Sequence, residues 1–143
     1  IMQYKIIMSV ILFLGICTSC NTSSNGTYNR QMKESFIYDF RLTYYKKLMF
    51  RAVNNPESFR MLFQSDGSGY GEQILSLEDY RIIDSLVEID NSKMVADSIK
   101  RIGRVAEGAQ GKHVLSYSLQ VYESQWLKNL AKQRSKIFMK SFR

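Results

Sequence analysis

Phe36, Ile37, Phe40, Tyr44, Leu48 and Ala52 recur every three or four residues. That spacing lines apolar side chains along one face of an α-helix. Lys33, Glu34, Arg41, Lys47 and Arg51 fall largely off the stripe. The pattern predicts a helix over about 30–53, and a stripe this long needs another apolar face to cover it. Asn54-Asn55-Pro56 stops it, because the residue before proline is pushed out of the α region. Pro56 can then open a second, short helix to about Gln64, with Asn55 as its cap.

The rest of the chain reads the same way. Asp66-Gly67-Ser68-Gly69-Tyr70-Gly71 is a loop rich in glycine. Ser76-Leu77-Glu78-Asp79 has the form of a capping box with Asp in place of Glu, and predicts a helix start. The stripe beyond it runs through Tyr80, Ile83, Leu86 and Val87, and resumes at Met94, Val95, Ile99 and Ile102. Asp90-Asn91-Ser92 interrupts it, so either two helices (about 77–89 and 92–105) or one kinked helix is expected. A second loop, 106–111, precedes a final helical stretch starting near Lys112. Its expected apolar face is Val114, Leu115, Leu119, Tyr122, Trp126, Leu127 and Leu130, with Ser124 positioned to cap a fresh turn. Trp126 and the Tyr44-Tyr45 pair read as core or interface residues. The tail over 136–143 is apolar and basic, and either docks as an extra turn or frays. No stretch alternates with period two, and only eight Gly and one Pro punctuate 143 residues, too few turn signals for a sandwich of short strands. The predicted class is all-α, a single small domain of five to six helices.

The N-terminal segment is different in kind. Lys5 precedes a run over 6–17 that only Ser9 interrupts with a polar side chain. A 12-residue run of this kind suits a secretory h-region and falls short of the roughly 20 that span a bilayer as a helix. An amphipathic core helix would place polar residues every third or fourth position. Thr18 and Ser19 then lead into Cys20, which resembles a bacterial lipobox, with Cys17 where Leu is commonest. The expectation is a lipoprotein signal over 1–19, starting from Met2, lipidation at Cys20, a flexible polar tether over 20–29 and a helical domain over 30–143. The location implied is the bacterial periplasm, on the inner or outer membrane. No Cys follows Cys20, so the domain is held by packing without an internal disulfide.

Charge and side-chain inventory narrow the chemistry. One of the 20 basic residues, Lys5, precedes Cys20, which leaves 19 against 13 acidic ones. Lys46-Lys47 and Lys100-Arg101 are the only adjacent basic pairs. A phosphate-binding footprint is normally clustered, so nucleic acid is not the expected partner. The one histidine, His113, sits beside Lys112 at a helix start. No set of ligands has metal-site spacing, no nucleophile elbow is present, and the 67–71 glycines lack the Gly-Lys-Ser/Thr of a phosphate loop. Asp84 and Glu88 share a helix face and read as solvated. The expectation is a protein without catalytic residues, metal or cofactor.

The segment over 112–130 resembles the closing part of the type VI secretion amidase immunity proteins. Ser118, Leu119, Val121, Tyr122, Ser124, Leu127 and Leu130 occupy the places of that family's motif, and 45–52 resembles its first helix. The family often carries one Cys in each of these helices, and Leu48 and Ser118 stand there instead, as though a disulfide had been removed as a unit. The resemblance spans roughly 38–134. It implies an all-helical, often dimeric periplasmic protein that blocks the cleft of a secreted peptidoglycan amidase, with Leu119, Tyr122, Ser124 and Leu127 structural. In that family a loop enters the cleft. The first place for it here is Glu107, Gly108, Ala109, Gln110, Gly111 and Lys112; the second includes Asp66, Ser68 and Tyr70. The alternative function is a membrane-anchored adaptor in an envelope complex.

Overall fold

The stripe that opens the pattern folds as expected. Helix α1 spans Ser23–Ala52, and Phe36, Phe40, Tyr44, Leu48 and Ala52 are all buried on one face of it. The computed structural model describes residues 23–53, 56–67, 74–106 and 109–141. The expected export signal, Cys20, Asn54 and Asn55 lie outside these residues. Among the described residues there are five helices and no strand, as the all-α expectation requires. Chain contacts divide at Glu34, with 1–34 as one unit and 35–143 as the other. In the first, Arg30 and Glu34 pair at 2.9 Å on successive turns of α1, both exposed. Residues 23–29 were expected in a flexible tether, yet they belong to α1. Extending an existing helix gains a hydrogen bond for each residue fixed, so the unfavourable nucleation step need not be repeated.

In the second unit the core is built on α1. Helix α2 spans Pro56–Ser65 and helix α3 Leu77–Lys100. Helix α4 spans Val114–Glu123 and helix α5 Gln125–Lys140. Ile83, Val87 and Met94 of α3 join Leu127 and Ala131 of α5 and Leu75 in one cluster with the α1 stripe. Phe36 stacks on Phe138 with ring centroids 4.8 Å apart. That contact explains why α5 continues to Lys140 instead of fraying near 134. In α2, Phe59 and Phe63 stack edge to face at 5.3 Å, while Met61 and Leu62 are exposed.

The caps follow the sequence closely. The Ser76 Oγ accepts from the Asp79 backbone N–H at 3.1 Å, and the Asp79 carboxylate accepts from the Ser76 N–H at 3.0 Å. Asp79 does a second job, because its Oδ1 also accepts from Arg134 Nε at 2.7 Å. The buried cap thereby ties α5 to the start of α3. Ser124 ends α4 and begins α5, its Oγ accepting from the Leu127 N–H at 3.2 Å.

Two expectations need correction. Helix α3 is unbroken through Asp90-Asn91-Ser92 and stops at Lys100, before 105. The Asp90 carboxylate is taken up by other side chains, so it does not compete for the backbone. Beyond Lys100, Gly103 at φ +73° turns the chain, and Ile99 and Ile102 are exposed. The face of α4 is also rotated from the expected one. Leu115 and Leu119 are 69% and 50% exposed, while Val114, Tyr117, Ser118 and Val121 face inward. Those four also follow a helical period. Ser118, the central residue of that inward face, is fully buried.

Candidate partner-binding loop

Asp90 is the point at which α1, α3 and α4 are joined. Asp90 is 5% exposed. Tyr44 on α1 donates its hydroxyl to Oδ2 at 2.7 Å, and Tyr117 on α4 donates to Oδ1 at 3.0 Å. Lys93, one turn on, donates to Oδ1 at 2.9 Å. A buried carboxylate is tolerated when charge-assisted bonds of this kind replace its water. Burial, reinforced by Asp90, pushes the Tyr44 phenol far up from its ordinary value. The Tyr117 phenol is pushed up to about 12, first by burial and then by the Asp90 charge. Both phenols are therefore protonated donors near neutral pH.

The connection between α3 and α4 hangs from this hub. Lys112 Nζ donates to the Ala52 carbonyl at 3.0 Å and reaches Asn91 Oδ1 at 3.5 Å. It satisfies one of the carbonyls that the end of α1 leaves without an intrahelical partner. Arg101 Nη1 lies 2.8 Å from Nδ1 and 2.7 Å from Nε2 of His113. His113 Nε2 is also 3.4 Å from the Ala109 carbonyl. Arg101 carries only donors, so it can bond to His113 only at an unprotonated ring nitrogen. The two ends of the 102–112 segment are thus held together by side chains. Gly111 at φ +106° makes the return into α4, a conformation that side chains rarely adopt. Ile102, Ala109 and Gln110 are exposed on the segment so closed.

The chain matches no family model, no curated protein and no solved structure.

Among the residues predicted to meet a partner, Ala109 and Gln110 are exposed on the closed loop, while Gly111 and Lys112 form its base. Glu107 and Gly108 lie outside the described residues, as do Ser68 and Tyr70 of the second loop. Asp66 is paired with Lys46 at 3.0 Å, which ties it back to α1. The residues predicted to be structural divide in two. Leu127 is fully buried and Ser124 caps α5, but Leu119 is half exposed. Tyr122 stacks edge to face with Tyr45 at 5.6 Å and carries the Arg41 guanidinium 4.4 Å above its ring.

Grooves also mark the described residues of this unit. One, of about 400 Å³, is lined by Lys46, Lys47, Phe50, Arg51, Asp84 and Glu88. Its cations are spoken for: Lys47 pairs with Asp84 at 2.5 Å and Arg51 with Glu88 at 2.6 Å. Another is a shallow trough of about 510 Å³ beside Ile82, Leu86, Trp126 and Leu130. Trp126 touches the core edge to face through Tyr44, with centroids 6.1 Å apart. Among the described residues no three His, Cys, Asp or Glu side chains are grouped to hold a metal. No helix among them is long and apolar enough to cross a membrane. The Asp90 hub is the feature that sequence reasoning missed. Its signal was Asp90 falling three residues after Val87 and four before Met94, in register with the buried face.

Proposed function

We propose that this chain is an exported, lipid-anchored immunity protein that binds a secreted peptidoglycan amidase and occludes its cleft with the 102–112 loop. The observation that carries the reading is the closed loop base. Arg101 and His113 hold the loop ends together, and Lys112 fastens it to α1 and α3. Loop ends held together before binding lose less conformational entropy on entering a cleft, and that raises affinity without new contacts. The motif resemblance over 112–130 supplies the amidase as partner, and the apolar run before Cys20 supplies the compartment. Inhibition is steric and needs no chemistry from the loop.

Amidase activity on purified peptidoglycan tests this. Increasing amounts of the chain should abolish hydrolysis at one equivalent, and Gln110→Arg should relieve the block while α-helical circular dichroism is unchanged. Undiminished hydrolysis at a tenfold excess of folded chain would overturn the proposal. The trough beside Trp126 favours a second reading, an envelope adaptor that holds a larger protein. An adaptor would form its complex through Trp126 and leave hydrolysis untouched.

A further inference from the structure

Helix α5 carries Lys128, Lys132, Lys136 and Lys140 at four-residue intervals, and all four are exposed. The helix contains no acidic residue. Its other cation, Arg134, turns inward to Asp79 at 2.7 Å. Among the described residues no ion pair reaches any of the four lysines, whereas Lys46, Lys47 and Arg51 on α1 all have carboxylate partners. Like charges one turn apart repel, and only Lys140, in the last turn, gains from the helix C-terminus. The row extends for about 18 Å at the α-helical rise. In sequence these lysines look dispersed, and only the helix gathers them.

We propose that this row docks the domain on a bilayer surface bearing anionic phospholipid headgroups. The neighbouring face of α5, with Leu127, Ala131 and Ser135, is sealed in the core, so the helix can lie on a membrane but not sink into it. Evenly spaced ammonium groups on long stems, with no carboxylate among them on the helix, suit mobile phosphates that rearrange around each cation. A folded acidic partner would instead demand fixed acceptors. Trp126 and Ile137, 50% and 53% exposed near the two ends of the row, add apolar groups of the type that settles at the headgroup level. The long aliphatic stems of the lysines can lie along that layer with their charges outward.

The test uses the full chain reconstituted into vesicles of phosphatidylcholine alone or mixed with phosphatidylglycerol. A neutral amine-acylating reagent is applied, and labelling of each lysine is read by mass spectrometry against Lys93 as internal reference. The four α5 lysines should be labelled more slowly only in the anionic vesicles, and high salt should remove the difference. The paired variant Lys132→Gln/Lys136→Gln should lower the docked-to-undocked ratio about 25-fold, at about fivefold per lysine. Equal labelling in both vesicle types would overturn the proposal. So would protection in both, or protection without vesicles that grows with protein concentration, which would mean a second copy covers the row. None of these outcomes involves the amidase, so the inference stands or falls apart from the proposed function.

Discussion

Replacing Asp90 with alanine should cost more stability than any substitution on the surface of α3. The carboxylate accepts three bonds, from Tyr44 at 2.7 Å, Tyr117 at 3.0 Å and Lys93 at 2.9 Å. A hydrogen bond to a charged group is worth about 1.5–3 kcal/mol. The Lys93 side chain is 59% exposed, so its share is about 0.5 kcal/mol. Tyr44 is fully buried, and leaving its hydroxyl without an acceptor costs about 1–3 kcal/mol. Against these stands the relief of no longer burying a carboxylate. The net expectation is a loss of about 3–4 kcal/mol for Asp90→Ala, and about 12–16 °C in melting temperature at about 4 °C per kcal/mol. Asp90→Asn keeps the shape and one acceptor, and should cost about half as much. Lys93→Gln should cost about 0.5 kcal/mol or less. Urea denaturation followed by far-UV circular dichroism measures all three. An Asp90→Ala chain within about 1 kcal/mol of the parent would refute the assignment of Asp90 as the joint of three helices.

Other consequences follow from the same contacts. Arg134→Gln should destabilise by about 2–3 kcal/mol in the same assay, because it leaves the buried Asp79 carboxylate with only its Ser76 partners. Gly111→Ala meets no atom within 4 Å, so its cost should be backbone strain alone, about 1–2 kcal/mol, with amidase inhibition weakened as the loop return relaxes. Stability should also fall in alkali. The phenol of Tyr117 ionises near 10 when unfolded and near 12 when folded, so its contribution is complete below about pH 10 and disappears as pH rises through 12. Tyr44 acts in the same direction. Urea midpoints between pH 8 and about 12 should therefore decline, and Tyr44→Phe/Tyr117→Phe should flatten that decline.

Much of this fold can be read in the chain because its signals are local. The α1 stripe, the Ser76–Asp79 box and the Ser124 cap each need only residues within a few turns, and all three form as the pattern requires. What escaped is non-local. Asp90 looks like a helix breaker until Tyr44, 46 residues away in sequence, supplies its bond. Leucine is the better core residue by itself, yet Leu119 is exposed and Ser118 buried, because the face of α4 is set by Val114, Tyr117 and Val121 packing on the core. Lys112 was legible as part of a loop, but its bond to the end of α1 was not. The lysine row on α5 was visible as spacing and hidden by the absence of any contiguous basic run.

The claim at the centre is that the loop closed by Arg101 and His113 is the inhibitory surface, and calorimetric titration tests it most directly. The full chain would be titrated into a secreted peptidoglycan amidase encoded in its own gene neighbourhood. A one-to-one complex with Kd of about 10 nM or tighter, weakened at least about 100-fold by Gln110→Arg, is expected from an anchor at the interface centre. No complex at about 10 µM, or a tight one indifferent to Gln110→Arg, would contradict it.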